Sequence, residues 1–311
     1  MFGKKAKKQL AGSTVSSTVS NVCSSFRTNF RDDPSLDSTG KKALILARQL
    51  KRYIAEDPAT LHQMALPVFV FTKIWQCQMT RKSTVLAQLI SGALFFGLRS
   101  CEYTSVTGER LTKLLTIREV RFFQGRREIM KTVRNKNLLK YCTSVSLTFI
   151  NQKNGKKYIT ITQQASGRDL CPVKAWSALT CRILFDENGS LDTPVNTYKD
   201  NNGVRTTIKA TDVAEHLKTF VSTIGKHILG FDESRVGTHS IRTSFAMLLY
   251  LRKVHPSTIM LQDRWSSDAY LLYVRPQVQQ FSTGLSRKMV QENFFTIPDV
   301  HEHNTSAEDE S

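Results

Sequence analysis

The chain has 311 residues, with 40% hydrophobic and 9% aromatic content, which excludes a wholly disordered polymer and leaves room for one large domain or two small ones. Its longest apolar stretch, Val85 to Leu98, is interrupted by Gln88, Ser91 and Gly92, and its polar start, MFGKKAKKQLAGS, lacks the apolar run of a secretory signal, so an intracellular protein without a membrane span is expected. The net charge is +18, and because the last fifteen residues hold five acids and no Lys or Arg, residues 1–296 carry 44 basic side chains against 21 acidic ones; a polyanionic partner, nucleic acid before an anionic membrane, is expected.

Residues 1–40 are rich in Ser, Thr and Lys, with a helix expected from Ser13 to Phe30 and a turn-prone DDPSLDSTG stretch after it. The run KKALILARQLKRYIA places Leu44, Leu46, Leu50 and Ile54 at mostly helical intervals and predicts a helix over 41–55 that AEDP closes. Helices follow around Pro67 to Met79 and from Ser83, where Val85, Leu86, Leu89, Ile90, Ala93 and Leu94 form one broad apolar face destined for the core.

Residues 113–163 change character. β-rich pieces span Leu114 to Phe123, Ser144 to Ile150 and Tyr158 to Thr162, and Asn154-Gly155 between the last two is a hairpin signal. After Cys171-Pro172, VKAWSALTCRIL reads as helix, followed by a loop through Asn188 to Asn202. Further helices fit Asp212 to Ile228, His239 to Val254 and Ser267 to Tyr273, with Pro276 ending the last. The fold class predicted is mainly α with one small antiparallel β-sheet.

Six cysteines without a CxxC pair, and no His spaced for zinc, encode neither a disulfide framework nor a metal knuckle. Neither GxxxxGK[ST] nor GxGxxG occurs, and HExxH and GxSxG are missing, so no nucleotide cofactor and no metal are expected. What remains is a scattered set of basic and polar residues of the kind that metal-free phosphodiester chemistry requires. A pentavalent phosphorane gathers charge on its nonbridging oxygens, and guanidiniums, always charged and planar, match those oxygens well.

Arg99, in GLRSCEY, follows the strongly apolar helix and is fixed by packing, or is simply a helix-end Arg with Glu102 as its i+3 partner. His239 and Arg242, in THSIR, lie at i and i+3 behind Thr238, a candidate N-cap, where a helix N-terminus favours phosphate; the alternative is a packed His and an Arg in a surface ion pair. Lys153 precedes Asn154-Gly155 at a hairpin tip and suits a general acid, with Lys156 and Lys157 as rivals. Tyr270 and Tyr273 are i, i+3 neighbours after Trp265; one is a candidate nucleophile, since a phenolate is a tolerable leaving group, unless both merely cover the core.

In combination these residues resemble the tyrosine recombinases (phage integrases). THSIR, Trp265 and a Tyr in YVR context resemble the carboxy-terminal signature of that family, GLRSCEY resembles its first-arginine box, and NQKNGKKYITI resembles the hairpin bearing its catalytic lysine. The resemblance covers about residues 57–296 and implies that Arg99 and Arg242 clamp a scissile phosphate, His239 and Trp265 position it, Lys153 protonates the departing 5′ oxygen and Tyr273 attacks. The wording around CPV and RWSSDAYLLYVRP resembles in particular the recombinases of eukaryotic Crypton and DIRS mobile elements, which implies a nuclear setting.

Double-stranded DNA as partner, assembly as a homotetramer on it and strand exchange without a cofactor are likewise implied. Two departures stand out. Eight positions separate Trp265 from Tyr273, one fewer than is usual in the family, which keeps Tyr270 as a reserve nucleophile. Residues 1–56 are short for the family's amino-terminal core-binding domain and are expected to be a remnant of it, with residues 297–311 an acidic disordered tail. Competing expectations are a type IB topoisomerase, a catalytically silent DNA-binding remnant and a metal-dependent phosphodiesterase.

Overall fold

A computed structural model of the chain describes residues 10–29, 31–57, 63–105, 112–152, 155–264 and 271. It divides into two units, Met1–Leu61 and His62–Ser311. In the first, α1 (Gly12–Thr28) and α2 (Leu44–Ala55) pack on each other. Gly12 sits where an added Cβ would collide with the Tyr53 backbone, so the absence of a side chain sets how closely these helices approach. Asp57 accepts from the Gly12 and Ser13 N–H groups at 2.6 and 3.1 Å, capping α1 from the far end of the unit.

The second unit is built around α4 (Arg81–Phe95), which follows α3 (Val68–Gln76). Thr80 and Ser83 form a reciprocal capping box at the α4 N-terminus, and every residue from Val85 to Leu94 is buried. A single apolar face cannot account for that burial. Helix α4 is surrounded, packing on α3 and on three later helices, α6 (Pro172–Cys181), α7 (Ala210–Ile224) and α9 (His239–Leu251). Gly92 lets α6 approach: a Cβ there would lie 3.0 Å from the Trp176 indole, which meets Phe96 edge-on with centroids 6.2 Å apart.

After the short α5 (Ser100–Tyr103) comes a four-stranded antiparallel sheet of β1 (Val120–Gln124), β2 (Arg127–Ile129), β3 (Ser144–Asn151) and β4 (Lys157–Gln164), in the order β2-β1-β3-β4. Opposite Phe149 stands Ile159, and opposite Leu147 stands Ile161, so the alternating residues of both strands face the same core, against α6. The segment from Leu114 is not strand throughout: Thr116 and Glu119 close a capping box on a 3₁₀ turn, Ile117–Glu119, and β1 begins only at Val120.

Other departures from the sequence reading have local causes. Beyond Cys181 the helix widens into a π-helical turn, Arg182–Asp186, that carries Arg182 inward. The loop expected through Asn202 contains β5 (Thr197–Lys199), paired with β6 (Arg205–Thr207) in a separate two-stranded sheet. Helix α7 stops at Ile224 because Gly225 takes φ +90°, and a single turn, α8 (Lys226–Leu229), follows. Helix α9 ends at Leu251, and α10 (Pro256–Asp263), opened by a proline at its first position, was not anticipated. The helix expected over Ser267 to Tyr273 lies outside the described residues apart from Leu271. Among the described residues no helix is long and apolar enough to cross a membrane. The architecture is mainly helical with a small antiparallel sheet, as the sequence predicts.

Candidate active site

The turn after α4 positions the first arginine. Gly97 adopts φ +53°, a left-handed value that turns the chain after the helix, and Leu98 anchors it in the core at 1% exposure. Arg99 then precedes α5, its side chain 20% exposed. Glu102, at the third position of α5, is buried and reaches back: its Oε2 accepts from the Arg99 backbone N–H at 2.8 Å and its Oε1 from Arg99 Nη1 at 3.2 Å. The i+3 ion pair weighed for Arg99 is therefore present.

A second guanidinium holds the same carboxylate. Arg264 Nη1 and Nη2 donate to Glu102 Oε1 and Oε2, both at 3.0 Å, in a two-pronged bridge whose partners are 2% and 1% exposed. The Arg264 guanidinium carbon lies 3.7 Å from the centroid of Phe149 in β3, so the planar group is stacked on one side and ion-paired at its edge. Burial acts to raise the Glu102 pKa, but the charge and hydrogen bonds of Arg264, together with Arg99, outweigh it and hold the carboxyl below its ordinary value. The cluster contains two cations and one anion.

The second expected arginine arrives from α9. Arg242 is 1% exposed, and its Nη1 donates to the Gly97 carbonyl at 2.6 Å, two residues before Arg99. The surface ion pair offered as its alternative is thus excluded by burial. His239, one turn earlier, is exposed. Thr238 occupies the N-cap position, but its side chain makes no capping bond; instead Gln63 Oε1 accepts from the His239 N–H at 2.9 Å. Ser244 ties the same helix to the segment before α3, accepting from the Leu66 N–H at 2.7 Å while donating to the Ser240 carbonyl at 2.6 Å.

Lys153 and Asn154 lie outside the described residues, as do Trp265, Tyr270 and Tyr273. Their flanks are described. Gln152 N–H donates to the Lys156 carbonyl at 3.1 Å, Gly155 takes φ +76°, and Lys156 and Lys157 are exposed at this end of the hairpin. Leu271, two residues before Tyr273, packs against a small cluster of Ala65, Ala246, Met247 and Ile259 between α9 and α10. The structure thus brings the Arg99 turn and Arg242 together through Gly97, and joins the Arg99 turn to β3 and to the end of α10 through Arg264.

Arg264 and Gln63 were missed. Arg264 stood in RWSSDAYLLYVR without an assigned role, and no local signal marks it, because its partner is 162 positions away. Gln63 is likewise 176 positions from the N–H it caps. No group of three or more potential metal ligands occurs among the described residues.

No family model and no curated protein matches the chain. Among solved structures, it is similar to the Tn1549 transposon integrase in complex with transposon right end DNA, at 12% identity over 89% of this chain and 82% of the other, with TM-score 0.48. It is similar also to the XerH site-specific recombinase bound to a palindromic difH substrate, at 12% identity over 93% and 75%, TM-score 0.44. A third similar structure is XerA recombinase, at 11% identity over 89% and 85%, TM-score 0.39.

Proposed function

We propose that this chain is a tyrosine recombinase that cuts and rejoins duplex DNA through a covalent 3′-phosphotyrosyl intermediate. In this reading the Tyr273 phenol gives up its proton to solvent as its oxygen attacks the scissile phosphorus in line with the 5′ oxygen. The P–O5′ bond breaks as the P–O(Tyr) bond forms, and Lys153 delivers a proton to the leaving oxygen. Attack by a 5′ hydroxyl from the same or a second duplex reverses the step, so the broken bond's energy is retained. Arg99 and Arg242 hold the nonbridging oxygens, and His239 and Trp265 orient the phosphate. Assembly as a tetramer on paired duplexes, a nuclear setting and kinship with Crypton and DIRS elements belong to the same proposal.

The observation that carries it is the hydrogen bond from Arg242 to the Gly97 carbonyl, which draws together two arginine motifs 143 positions apart in the chain. Burying an arginine costs free energy, and two arginines drawn to one turn suit an anion. The test is a nicked suicide duplex, in which the fragment bearing the 5′ hydroxyl diffuses away and traps the adduct. A DNA-linked peptide containing Tyr273 is expected, and Tyr273→Phe abolishes it. Adduct lost instead in Tyr270→Phe moves the nucleophile to the reserve position. Binding with no adduct at any tyrosine identifies a silent DNA-binding remnant, and relaxation of supercoils without strand exchange identifies a topoisomerase.

A further inference from the structure

Glu102 poses a problem of charge. A lone Arg99–Glu102 pair is neutral, and a neutral pair has little attraction for a phosphate, however well its guanidinium is placed. The carboxylate cannot escape to solvent, since it is 1% exposed. Arg264 changes the balance: it takes both carboxylate oxygens at 3.0 Å, from a position that is itself buried, leaving the three-residue cluster with one positive charge in excess.

We propose that Arg264 is a positioning residue that neutralises Glu102, so that the positive charge of Arg99 stays available to a DNA phosphate; the inference rests on the functional reading above and deepens it. Three features argue against a merely structural salt bridge. Arg264 is a non-glycine residue with φ +60° at the end of α10, a conformation that glycine adopts more easily, so the side chain is retained against a local preference. Its guanidinium contacts two separate elements at once, α5 through Glu102 and β3 through Phe149. And in the chain it immediately precedes Trp265, the first residue of the segment that carries Tyr273. The second cation of the cluster, Arg264, is thus fixed in the protein interior, while Arg99 is the more accessible of the two guanidiniums.

The experiment is a double-mutant cycle on the full chain with Arg264→Met and Arg99→Ala, read on a pool of nicked duplexes of randomised sequence by affinity and by covalent adduct. Expected is a loss in Arg264→Met of about tenfold in affinity and about a hundredfold in adduct rate, against less than about twofold for the same substitution in the Arg99→Ala background. Arg264→Lys, which restores a charge without the two-pronged geometry, recovers part of the loss. Circular dichroism of each variant ensures that folded protein is compared; if Arg264→Met does not fold, the cycle is run with Arg264→Lys. Independent, multiplying losses in the two backgrounds overturn the inference while leaving the recombinase reading intact. Conversely, a wild-type chain that binds duplex without forming adduct defeats the recombinase reading, and the affinity cycle still decides the role of Arg264.

Discussion

The two arginines of the candidate site differ in burial, and that difference separates their contributions to stability. Arg242 is enclosed and satisfies the Gly97 carbonyl, so Arg242→Ala leaves a buried acceptor without its donor and a cavity behind it. A loss of about 2–4 kcal/mol in urea unfolding is expected. Arg99 is partly exposed and Glu102 retains Arg264 when Arg99 is removed, so Arg99→Ala is expected to cost about 1 kcal/mol or less while slowing adduct formation about a hundredfold to a thousandfold, to a rate still measurable. Equal stability losses in the two variants would contradict this assignment. Both residues were legible in the sequence because each lies in a short motif beside a strongly apolar helix. Arg264 was not legible: only the fold places it on Glu102, and nothing in RWSSDAYLLYVR distinguishes it from an exposed arginine.

His216 supplies a second test at this scale. It stands on α7 with Nε2 lacking a partner among the described residues, packed edge-on to Phe220 at 5.1 Å, and burial, followed by the charge of Lys82, lowers its pKa below 6.5. The folded protein therefore holds His216 neutral in a pH range where the unfolded chain takes up a proton. Its contribution is intact above about pH 6.5 and falls as pH drops toward the lowered folded value. His216→Phe is expected to flatten the decline in unfolding free energy between about pH 7.5 and pH 5.5. An unchanged slope would show that other groups govern that range.

Among the elements, those whose burial follows a simple period were foreseen. The α4 face, the β3–β4 hairpin and α6 all appear where apolar spacing and turn residues put them. The pieces that escaped are short or held from outside. Strands β5 and β6 have three residues each and no room for a period, although NNG between them carried a turn signal. Helix α10 buries little beyond Ile259, so Pro256 was its only usable mark. The π-helical turn is explained by what it delivers: Arg182 Nη1 donates to both Glu187 oxygens at 3.1 Å and to the Thr197 carbonyl at 2.9 Å, while its Nε donates to Gln88 Oε1 at 3.0 Å. This bridge joins α4, the π-helical turn and β5. Glu187→Ala leaves a buried guanidinium without its counter-charge and is expected to cost about 3–5 kcal/mol, visible as a lowered urea midpoint. A loss under 1 kcal/mol would mean that water reaches Arg182.

At the scale of the molecule, the excess positive charge is the feature a DNA partner of the proposed kind would meet, and the sheet gives it a direction. Because β1 and β3 are antiparallel, with Val120 opposite Leu147 and Phe123 opposite Ser144, the β1–β2 turn and the β3–β4 turn lie at opposite ends of the sheet. The Arg99–Glu102–Arg264 cluster meets the sheet at Phe149, near the end occupied by Lys156 and Lys157; Arg126 and Arg127 are exposed at the other end. A duplex seated over Arg99 therefore passes close to the first pair and away from the second. Each phosphate neutralised releases condensed counterions, so the logarithm of affinity should fall with the logarithm of salt concentration with a slope of about −0.9 per contact. Neutralising Lys156 and Lys157 together to Gln is expected to make that slope shallower by about 2, whereas Arg126→Gln with Arg127→Gln leaves it within about 0.5 of the original. If the two double variants behave alike, the charge acts as a diffuse field and the proposed seat of the DNA on this face is wrong; if only the arginine pair changes the slope, the duplex lies at the opposite end of the sheet and Arg99 cannot be its phosphate ligand.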